Sequence, residues 1–494
     1  MKHMEIERKF LLRPCSLKKF LKRHGLTYCA VPIEQFYLRS DGSGSERYRR
    51  AGDRYIHTVK SAGGLAREEW EEEVDEAHYR QRKEQAASGL IEKTRYVVPF
   101  GKYRYELDAF HGSLEGLDFL EVEFPSLEEA EAFTLPEPFS RLRIAEVSAN
   151  PSFTNGALSR SMRLPTLTEG LERVLKRVRD GRNEFLKAST AVSFGPYEKA
   201  GVALQALFFT LISTVQANRQ AILDGSDDPE RLHQLRVALR KMRVLLNRFP
   251  ELFSSRWLEE QSDLLAGIMR ETGPLRDLEV ALEWLPEYRR LLKGRYGQEL
   301  KRLEGVLTQR RNTEEKALKD FLLQAPVVSA TEMLMAFARD ERSDLLTERA
   351  ETPILPLVAP KLKRLHKKCL NAGRVLDEHS SEEAYHRMRI RIKKLRYMLE
   401  FFGSILDGDA AAEILAGLKR IQSLLGEHQD LTVQRNRLAS LAEEEVFADT
   451  QAAKMLKRLE TVLEKEARKR RERFHSAFEA FPSGALLRRA ICRD

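Results

Sequence analysis

The chain has 494 residues, which is enough for two or three domains that each bury a core of their own. Its composition, 42% hydrophobic and 32% charged, excludes a disordered chain. No run of eighteen apolar residues and no signal peptide appears, so we expect neither membrane insertion nor export. The net charge of +9 indicates an anionic partner such as nucleic acid or polyphosphate.

The net positive charge comes entirely from the later part of the chain. Residues 1–165 contain 26 basic and 26 acidic residues, which leaves 84 − 26 = 58 basic and 75 − 26 = 49 acidic residues for positions 166–494. The four cysteines are scattered and form no C-x-x-C pair, which favours free thiols in a reducing compartment. We therefore expect a cytoplasmic protein.

Short segments bounded by turn residues predict eight strands near the start of the chain. They are Met4–Phe10, Ile33–Ser40, Glu46–Ala51, Arg54–Lys60, Leu65–Val74, Leu90–Phe100, Lys102–His111 and Leu117–Phe124. Helices are predicted at Pro14–Leu26 and Asp75–Ala87. The short connections predict an antiparallel sheet that closes on itself as a barrel.

Charged residues recur on one face of these strands, since side chains alternate between the two faces. Glu5, Glu7 and Lys9 share a face of the first strand. Later strands repeat the pattern with Arg47 and Arg49, Thr58 and Lys60, Glu69 and Glu71, Lys93 and Arg95, Glu106 and Asp108, and Glu121 and Glu123.

Burying so many charges is costly unless they are paired, hydrated or neutralised by a ligand. If the charged faces point inward, the lumen suits a polyanion gripped by Arg and Lys, with carboxylates that hold divalent cations. The alternative is that these faces are solvated and that the lumen is apolar.

The motifs resemble the CYTH family, the triphosphate tunnel metalloenzymes, over roughly residues 1–160. They are E-I-E-R-K-F at 5–10, Q-F-Y-L at 35–38, R-Y-R at 47–49, T-V-K at 58–60, I-E-K-T-R-Y at 91–96, E-L-D at 106–108 and E-V-E at 121–123. The resemblance implies an eight-stranded antiparallel tunnel that binds triphosphate compounds with Mg²⁺ or Mn²⁺.

The same resemblance implies roles for individual residues. The phosphate-binding residues would be Lys9, Arg47, Arg49, Lys60, Lys93 and Arg95. The metal ligands would be Glu5, Glu7, Glu121 and Glu123, and the acidic side of the tunnel would be lined by Glu69, Glu71, Glu106 and Asp108. Hydrolysis needs a fixed anion, neutralised charge and a water molecule in line. The catalytic base is left open among Glu69, Glu71 and Asp108.

The rest of the chain has helical periodicity. Residues 164–191 predict an amphipathic helix within a connector at 161–195, followed by an all-α domain at 196–485. That domain contains a repeat, because His233 and His386 open similar segments at an offset of 386 − 233 = 153. The overall prediction is an α+β multidomain protein, with two pseudo-symmetric helical bundles at about 196–345 and 350–485.

Each repeat carries a basic stripe, since residues at i, i+3, i+7 and i+10 share a helix face. The two stripes are His233, Arg236, Arg240 and Arg243, and His386, Arg389, Lys393 and Arg396. One interpretation is a pair of solvated basic faces. The other is a single basic channel formed by both repeats.

The pattern H-x-x-R-x-x-x-[RK]-[RK]-x-R in both halves is similar to the CHAD domain, over roughly residues 196–485. This resemblance implies binding of inorganic polyphosphate, with both stripes as candidate contacts. The stripes have few aromatic residues, which argues against nucleic acid.

The sequence therefore predicts a metal-dependent inorganic triphosphatase with a polyphosphate-binding helical domain and no membrane partner. Association with polyphosphate granules is a further expectation. Two alternatives stay open: an adenylate cyclase or a nucleoside or thiamine triphosphatase, and a polyphosphate-binding protein with little catalysis.

Overall fold

The computed structural model describes residues 2–41, 44–61, 66–181, 185–340, 342–447 and 449–492. For residues 2–5, 40–41, 61 and 66–69 the backbone alone is described. The chain divides into two compact units. The first comprises residues 1–167, 352–356 and 488–494, and the second comprises residues 168–351 and 357–487.

The described part of the first unit contains an antiparallel sheet of nine strands. They are β1 (Lys2–Leu12), β2 (Cys29–Asp41), β3 (Gly44–Ala51), β4 (Arg54–Ser61), β5 (Ala66–Val74), β6 (Ile91–Phe100), β7 (Tyr103–Phe110), β8 (Asp118–Glu123) and β9 (Arg143–Glu146). The strand order is β5-β4-β3-β2-β6-β7-β8-β1-β9, with a further pairing between β1 and β5.

The two halves of β1 have different neighbours. Residues 2–6 pair with β5, residues 7–12 pair with β8, and residues 10–12 also pair with β9. The sheet is therefore not closed along its full length. The predicted number of eight strands was wrong, because the four-residue strand β9 is too short to give a readable alternation.

Helices cover the outer face of this sheet. They are α1 (Leu17–Arg23), α2 (Glu76–Glu84), α3 (Leu127–Ala132), α4 (Phe139–Leu142) and α5 (Asn155–Ser161). Apolar side chains of β1, β7 and β8 pack against α1, α3 and α4 in one core cluster. Both predicted helices form, but each is shorter than expected. The second begins after Asp75, whose Oδ1 accepts a hydrogen bond from the N–H of His78 at 2.7 Å.

The later part of the chain is helical. Its helices are α6 (Leu171–Asp180), α7 (Ala200–Leu223), α8 (Glu230–Arg248), α9 (Ser255–Glu271), α10 (Gly273–Glu283), α11 (Leu285–Leu291), α12 (Gly297–Leu322), α13 (Ala325–Ala338), α14 (Ile354–Arg374), α15 (Glu382–Phe401), α16 (Gly408–Ala442), α17 (Thr450–Phe478) and α18 (Gly484–Cys492). The helix predicted over 164–191 was too long, since α6 ends at Asp180.

The repeat governs the order of these helices. The pairs α7 and α14, α8 and α15, α9 and α16, and α12 and α17 each start within one residue of the 153-residue offset. The duplicated helical unit predicted from the sequence is therefore confirmed. One difference is that α9 and α10 are separate helices, whereas α16 is continuous over the matching residues.

By length and composition α7 could cross a membrane, and so could α12 and α13 together as a bent pair. However, 78% of the 18-residue apolar stretch of α7 is buried inside the protein. Its composition is accounted for by packing in the core of the second unit.

One buried carboxylate lies outside the charged face of the sheet. Asp118 is 5% exposed and accepts a hydrogen bond from the N–H of Cys15 at 3.1 Å. Burial raises the pKa of Asp118 to about 7, although the Cys15 hydrogen bond acts in the opposite direction. The fold therefore favours the neutral acid.

We predict that Asp118→Asn raises the thermal unfolding midpoint at pH 8. In the unfolded chain the pKa of an aspartate is about 3.9, so the stability due to the neutral acid is complete below about pH 4 and is lost as pH rises to about 7. The asparagine keeps the acceptor and does not ionise, so its advantage should grow between pH 4 and pH 7. Scanning calorimetry checks this, with Asp53→Asn in an exposed turn as the control; equal midpoints at pH 8 would contradict it.

Candidate functional site

The charged faces predicted for the strands are buried within the first unit. The side chains that are less than 9% exposed include Lys9, Arg47, Lys93, Glu106, Asp108 and Glu121. The opposite faces carry Leu107 and Leu120, which are fully buried in the apolar cluster beneath the helices. The interior of the sheet is therefore polar, and the alternative of an apolar lumen is wrong.

The register of the strands brings charged residues of the inward face next to one another, both as opposite charges and as pairs of carboxylates. Lys9 on β1 lies opposite Glu121 on β8, which lies opposite Glu106 on β7. Glu7 lies opposite Glu123 in the same β1–β8 ladder. Residues directly opposite in an antiparallel pair have Cβ atoms about 4.5–5.5 Å apart, so these side chains form one continuous group.

Arg95 on β6 is the centre of this group. Its Nε and Nη2 donate to the two carboxylate oxygens of Asp108, each at 2.7 Å, and Nη2 also donates to Glu121 at 2.6 Å. Its Nη1 donates to Glu106. Burial alone would lower the pKa of Arg95, but the surrounding carboxylates outweigh burial and raise it. A guanidinium bonded in this way is held rigidly.

Both buried lysines also contact carboxylates. The Nζ of Lys9 is 2.9 Å from Glu121 and 3.9 Å from Glu7. Burial lowers the pKa of Lys9, but these carboxylates outweigh burial, so the net pKa is raised. The Nζ of Lys93 donates to Asp108 at 2.5 Å. Here burial dominates, and the pKa of Lys93 falls to about 8.

The opposite side of the interior is richer in cations. Both Arg47 and Arg49 on β3 approach one oxygen of Glu71, Arg49 at 3.2 Å and Arg47 at 3.7 Å. Burial, followed by the neighbouring Arg47, lowers the pKa of Arg49 to about 10. Lys60 follows on the adjacent strand β4, where it lies opposite Glu69. On this side two guanidinium groups therefore share a single carboxylate oxygen.

Thr58 also belongs to this site, although its position in the sequence alone indicated no role for it. Its hydroxyl donates to Glu71 at 3.0 Å and accepts from Nη2 of Arg47 at 3.3 Å. It is fully buried. The signal was present in T-V-K, because Thr58 and Lys60 share the face of the strand that points inward.

The predicted metal ligands consist of carboxylates, which suit Mg²⁺ or Mn²⁺ because both prefer oxygen donors. Glu7 and Glu123 lie opposite each other, with Glu121 two residues along β8. The side chain of Glu5 lies outside the described residues. Among the described side chains, no group of three or more His, Cys, Asp or Glu is arranged to hold a metal ion. The carboxylate oxygens present are suitable donors for such an ion, and Glu7 and Glu123 are the residues that would bind it.

The three candidates for the catalytic base have different surroundings. Asp108 is fully buried, and both its oxygens accept bonds from Arg95 or Lys93. These cations outweigh the effect of burial and lower its pKa. The side chain of Glu71 is 35% exposed, whereas that of Glu69 lies outside the described residues. A base must reach water, which favours Glu71 over Asp108.

In the second unit, the basic stripes lie on α8 and α15. Arg240 on α8 is close enough to Arg389 and Lys393 on α15 to lower the pKa of both, after the larger effect of burial. Asp430 on α16 is the neighbouring carboxylate and acts in the opposite direction. The two repeats therefore bring basic side chains together, which argues against two separate solvated faces.

The remaining stripe residues have varied partners. Arg236 donates to the carbonyl of Met269 and the hydroxyl of Thr272. Nδ1 of His386 is 2.8 Å from the amide oxygen of Gln429, and Arg396 pairs with Glu400 at 3.1 Å. Burial, followed by Arg276, lowers the pKa of His233. Arg243 is half-buried near the end of α8.

We predict that Arg95→Ala destabilises the first unit by about 3–5 kcal/mol, because it leaves the buried carboxylates around it without their main cation. Scanning calorimetry of the full chain measures the loss. Arg54→Ala is the control, since Arg54 and Glu73 are 67% and 58% exposed and pair at 3.2 Å, and such pairs contribute less than about 1 kcal/mol. Similar losses for both variants would contradict the central role of Arg95.

Two family models match this chain. Residues 3–153 match the CYTH domain, and residues 206–439 match the CHAD domain. The first range lies within the first unit, and the second lies within the helical unit except for residues 352–356.

Known proteins resemble each part. A protein of Nitrosomonas europaea named inorganic triphosphatase is 37% identical over 161 residues, which are 32% of this chain and 98% of that protein. One of the same name from Acetivibrio thermocellus is 32% identical over 156 residues, 31% of this chain and 92% of that protein. The crystal structure of the CHAD domain from the plant Ricinus communis matches with a TM-score of 0.50 at 23% identity, over 60% of this chain and 96% of that one. The chain therefore belongs to the CYTH family through its first unit and carries a CHAD domain in its second, as the sequence motifs predicted.

Proposed function

We propose that the first unit hydrolyses inorganic triphosphate with the help of a divalent metal ion, and that the second unit binds inorganic polyphosphate. One observation carries the first part: Arg47 and Arg49 converge on one oxygen of Glu71 inside the sheet, while Glu7 faces Glu123. A site for a metal-bound polyanion needs such a cationic side and such a carboxylate side. The names of the two bacterial relatives support triphosphate as the substrate.

In the proposed reaction, the oxygen of a water molecule attacks the terminal phosphorus. The bond to the bridging oxygen breaks, so that phosphate and pyrophosphate leave. Arg47 and Arg49 bind the terminal phosphate, since a guanidinium group offers paired donors to its oxygens. Glu71 orients the water and accepts its proton, while Asp108 holds Arg95 and Lys93 in position.

Glu7 and Glu123, with Glu121, would hold Mg²⁺ or Mn²⁺, which supplies charge neutralisation to the phosphate oxygens. Lys9 keeps Glu121 in place through the contact at 2.9 Å. A cytoplasmic location at polyphosphate granules remains a prediction.

Phosphate release from tripolyphosphate and from ATP, with Mg²⁺, Mn²⁺ or a chelator, tests this function. Metal-dependent release from tripolyphosphate in preference to ATP is the expected result. Formation of pyrophosphate and a cyclic nucleotide from ATP would show an adenylate cyclase instead. Turnover of neither compound would leave a polyphosphate-binding protein.

We predict that Glu7→Gln lowers kcat for tripolyphosphate by about 100-fold or more, because an amide is a poorer ligand for a hard cation. Binding of polyphosphate to the second unit should stay unchanged. Glu92→Gln is the matched control, since Glu92 is an exposed carboxylate on β6. Undiminished turnover in Glu7→Gln would exclude Glu7 as a metal ligand.

For polyphosphate binding, the proposal relies on the basic groups shared by the two repeats. Arg389, Arg240 and Arg396 all lie close enough to Lys393 to lower its pKa, and Asp430 is the opposing carboxylate. Burial, followed by Arg389, lowers the pKa of Lys393 to about 7. A phosphate chain would favour the charged form of this lysine.

We predict that polyphosphate binds more tightly as pH falls from 8.5 to 6. Lys393 is mostly neutral at the higher pH and gains a proton near pH 7, and one proton can change the affinity by at most about tenfold per pH unit. Lys393→Arg stays charged and should show a weaker pH dependence. Titration calorimetry with long polyphosphate checks this, with the exposed Lys419→Arg as control. Identical pH profiles for wild type and Lys393→Arg would refute the role of Lys393.

A further inference from the structure

Arg236 and Arg389 occupy the same position in the two repeats, 389 − 236 = 153 residues apart. Sequence alone gives them the same role as contacts of an anion. Their surroundings in the structure differ because the helix that follows is broken in one repeat and continuous in the other.

Arg236 is bonded to the break between α9 and α10. Its Nη1 donates to the carbonyl of Met269 at 2.7 Å and to the hydroxyl of Thr272 at 2.6 Å. The hydroxyl of Thr272, which is fully buried, donates in turn to the carbonyl of Ile268 at 2.8 Å. The last carbonyls of a helix lack donors within that helix, and a buried helix end needs them from elsewhere.

Both hydrogens on Nη1 of Arg236 are therefore used by protein acceptors. These bonds of Arg236 stabilise the junction at which α9 ends and α10 begins with Gly273 and Pro274. Breaking it would leave the carbonyl of Met269 without this donor at the buried junction.

In the second repeat, the residues that match this junction lie within one continuous helix. The residues that match Met269 and Thr272 are Gln422 and Leu425, both inside the continuous helix α16. Leu425 has no hydroxyl, and carbonyls in the middle of a helix are bonded within it. Arg389 thus has no helix end to bond.

Arg389 and Arg236 both lie near Arg240, which lowers the pKa of each after the larger effect of burial, but only Arg236 is bonded to a helix end. Burial lowers the pKa of Arg389, Asp430 acts in the opposite direction, and Arg240 lowers it further. The Nε–H of Arg389 is buried and has no hydrogen-bond acceptor in the described part of the chain. The same is true of the Nε–H of Arg396, whose Nη1 pairs with Glu400. Buried donors of this kind are costly unless a ligand satisfies them.

We propose that the two repeats have different roles in the polyphosphate-binding function proposed above. Arg389, together with Arg240, Lys393 and Arg396, binds the phosphate chain. Arg236 is a structural residue that holds the junction of α9 and α10. The anion site is therefore asymmetric, although the helices are duplicated.

The test compares Arg389→Gln with Arg236→Gln in the full chain, by the affinity for long polyphosphate, its salt dependence and the thermal unfolding midpoint. Arg389→Gln should weaken binding at least tenfold and reduce the slope of log affinity against log salt by about 1, because one phosphate contact is lost. Its midpoint should change little. Arg236→Gln should lower the midpoint and keep the wild-type slope.

Thr272→Val provides a milder change at the same junction, in case Arg236→Gln does not fold. It should lower the midpoint and leave affinity and slope unchanged. A reduced salt slope in Arg236→Gln or Thr272→Val, or a wild-type slope in Arg389→Gln, would overturn the asymmetry. If the wild-type protein bound no polyphosphate, the proposed function of the second unit would fail, and this inference would fail with it.

Discussion

The site in the first unit depends on the bonds between one guanidinium and the carboxylates around it. Arg95 forms ion pairs with Asp108 and Glu106 on β7 and with Glu121 on β8. Glu121 also forms an ion pair with Lys9 on β1. Charges at this depth are tolerated only when they are paired with good geometry. The network therefore joins four strands and fixes the polar wall before any ligand arrives.

The charges around Arg95 are thus paired with one another, and the other side of the interior has a different arrangement of charges. On β3, Arg47 and Arg49 both approach Glu71, and the pKa of Arg49 is lowered by burial and by its neighbour. Under the proposed function, a polyanion inside the sheet would be attracted to β3 and β4 rather than to Arg95. Attraction of this kind orients the substrate, and orientation is most of what phosphoryl transfer requires.

The second unit uses duplication to bring charge together. Helices α8 and α15 contribute matching residues, and Arg240 influences Lys393 across the two repeats. Yet matching sequence does not give matching surroundings, since Arg236 bonds a helix end that exists in one repeat alone. The break before Pro274 thus makes the two halves chemically different.

The sequence by itself determined the two families, the antiparallel sheet, the helical repeat and the recurrence of charged residues on one face of the strands. Those features follow from local periodicity and from ordered motifs, which need no knowledge of distant contacts. Tertiary structure alone decided the strand β9, the inward direction of the charged faces, the contacts of Thr58, the exposure of Glu71 against the burial of Asp108, and the different bonds of Arg236 and Arg389. Each of these depends on which residues of distant segments meet, and on how deeply they are buried, which periodicity along one strand or helix does not specify.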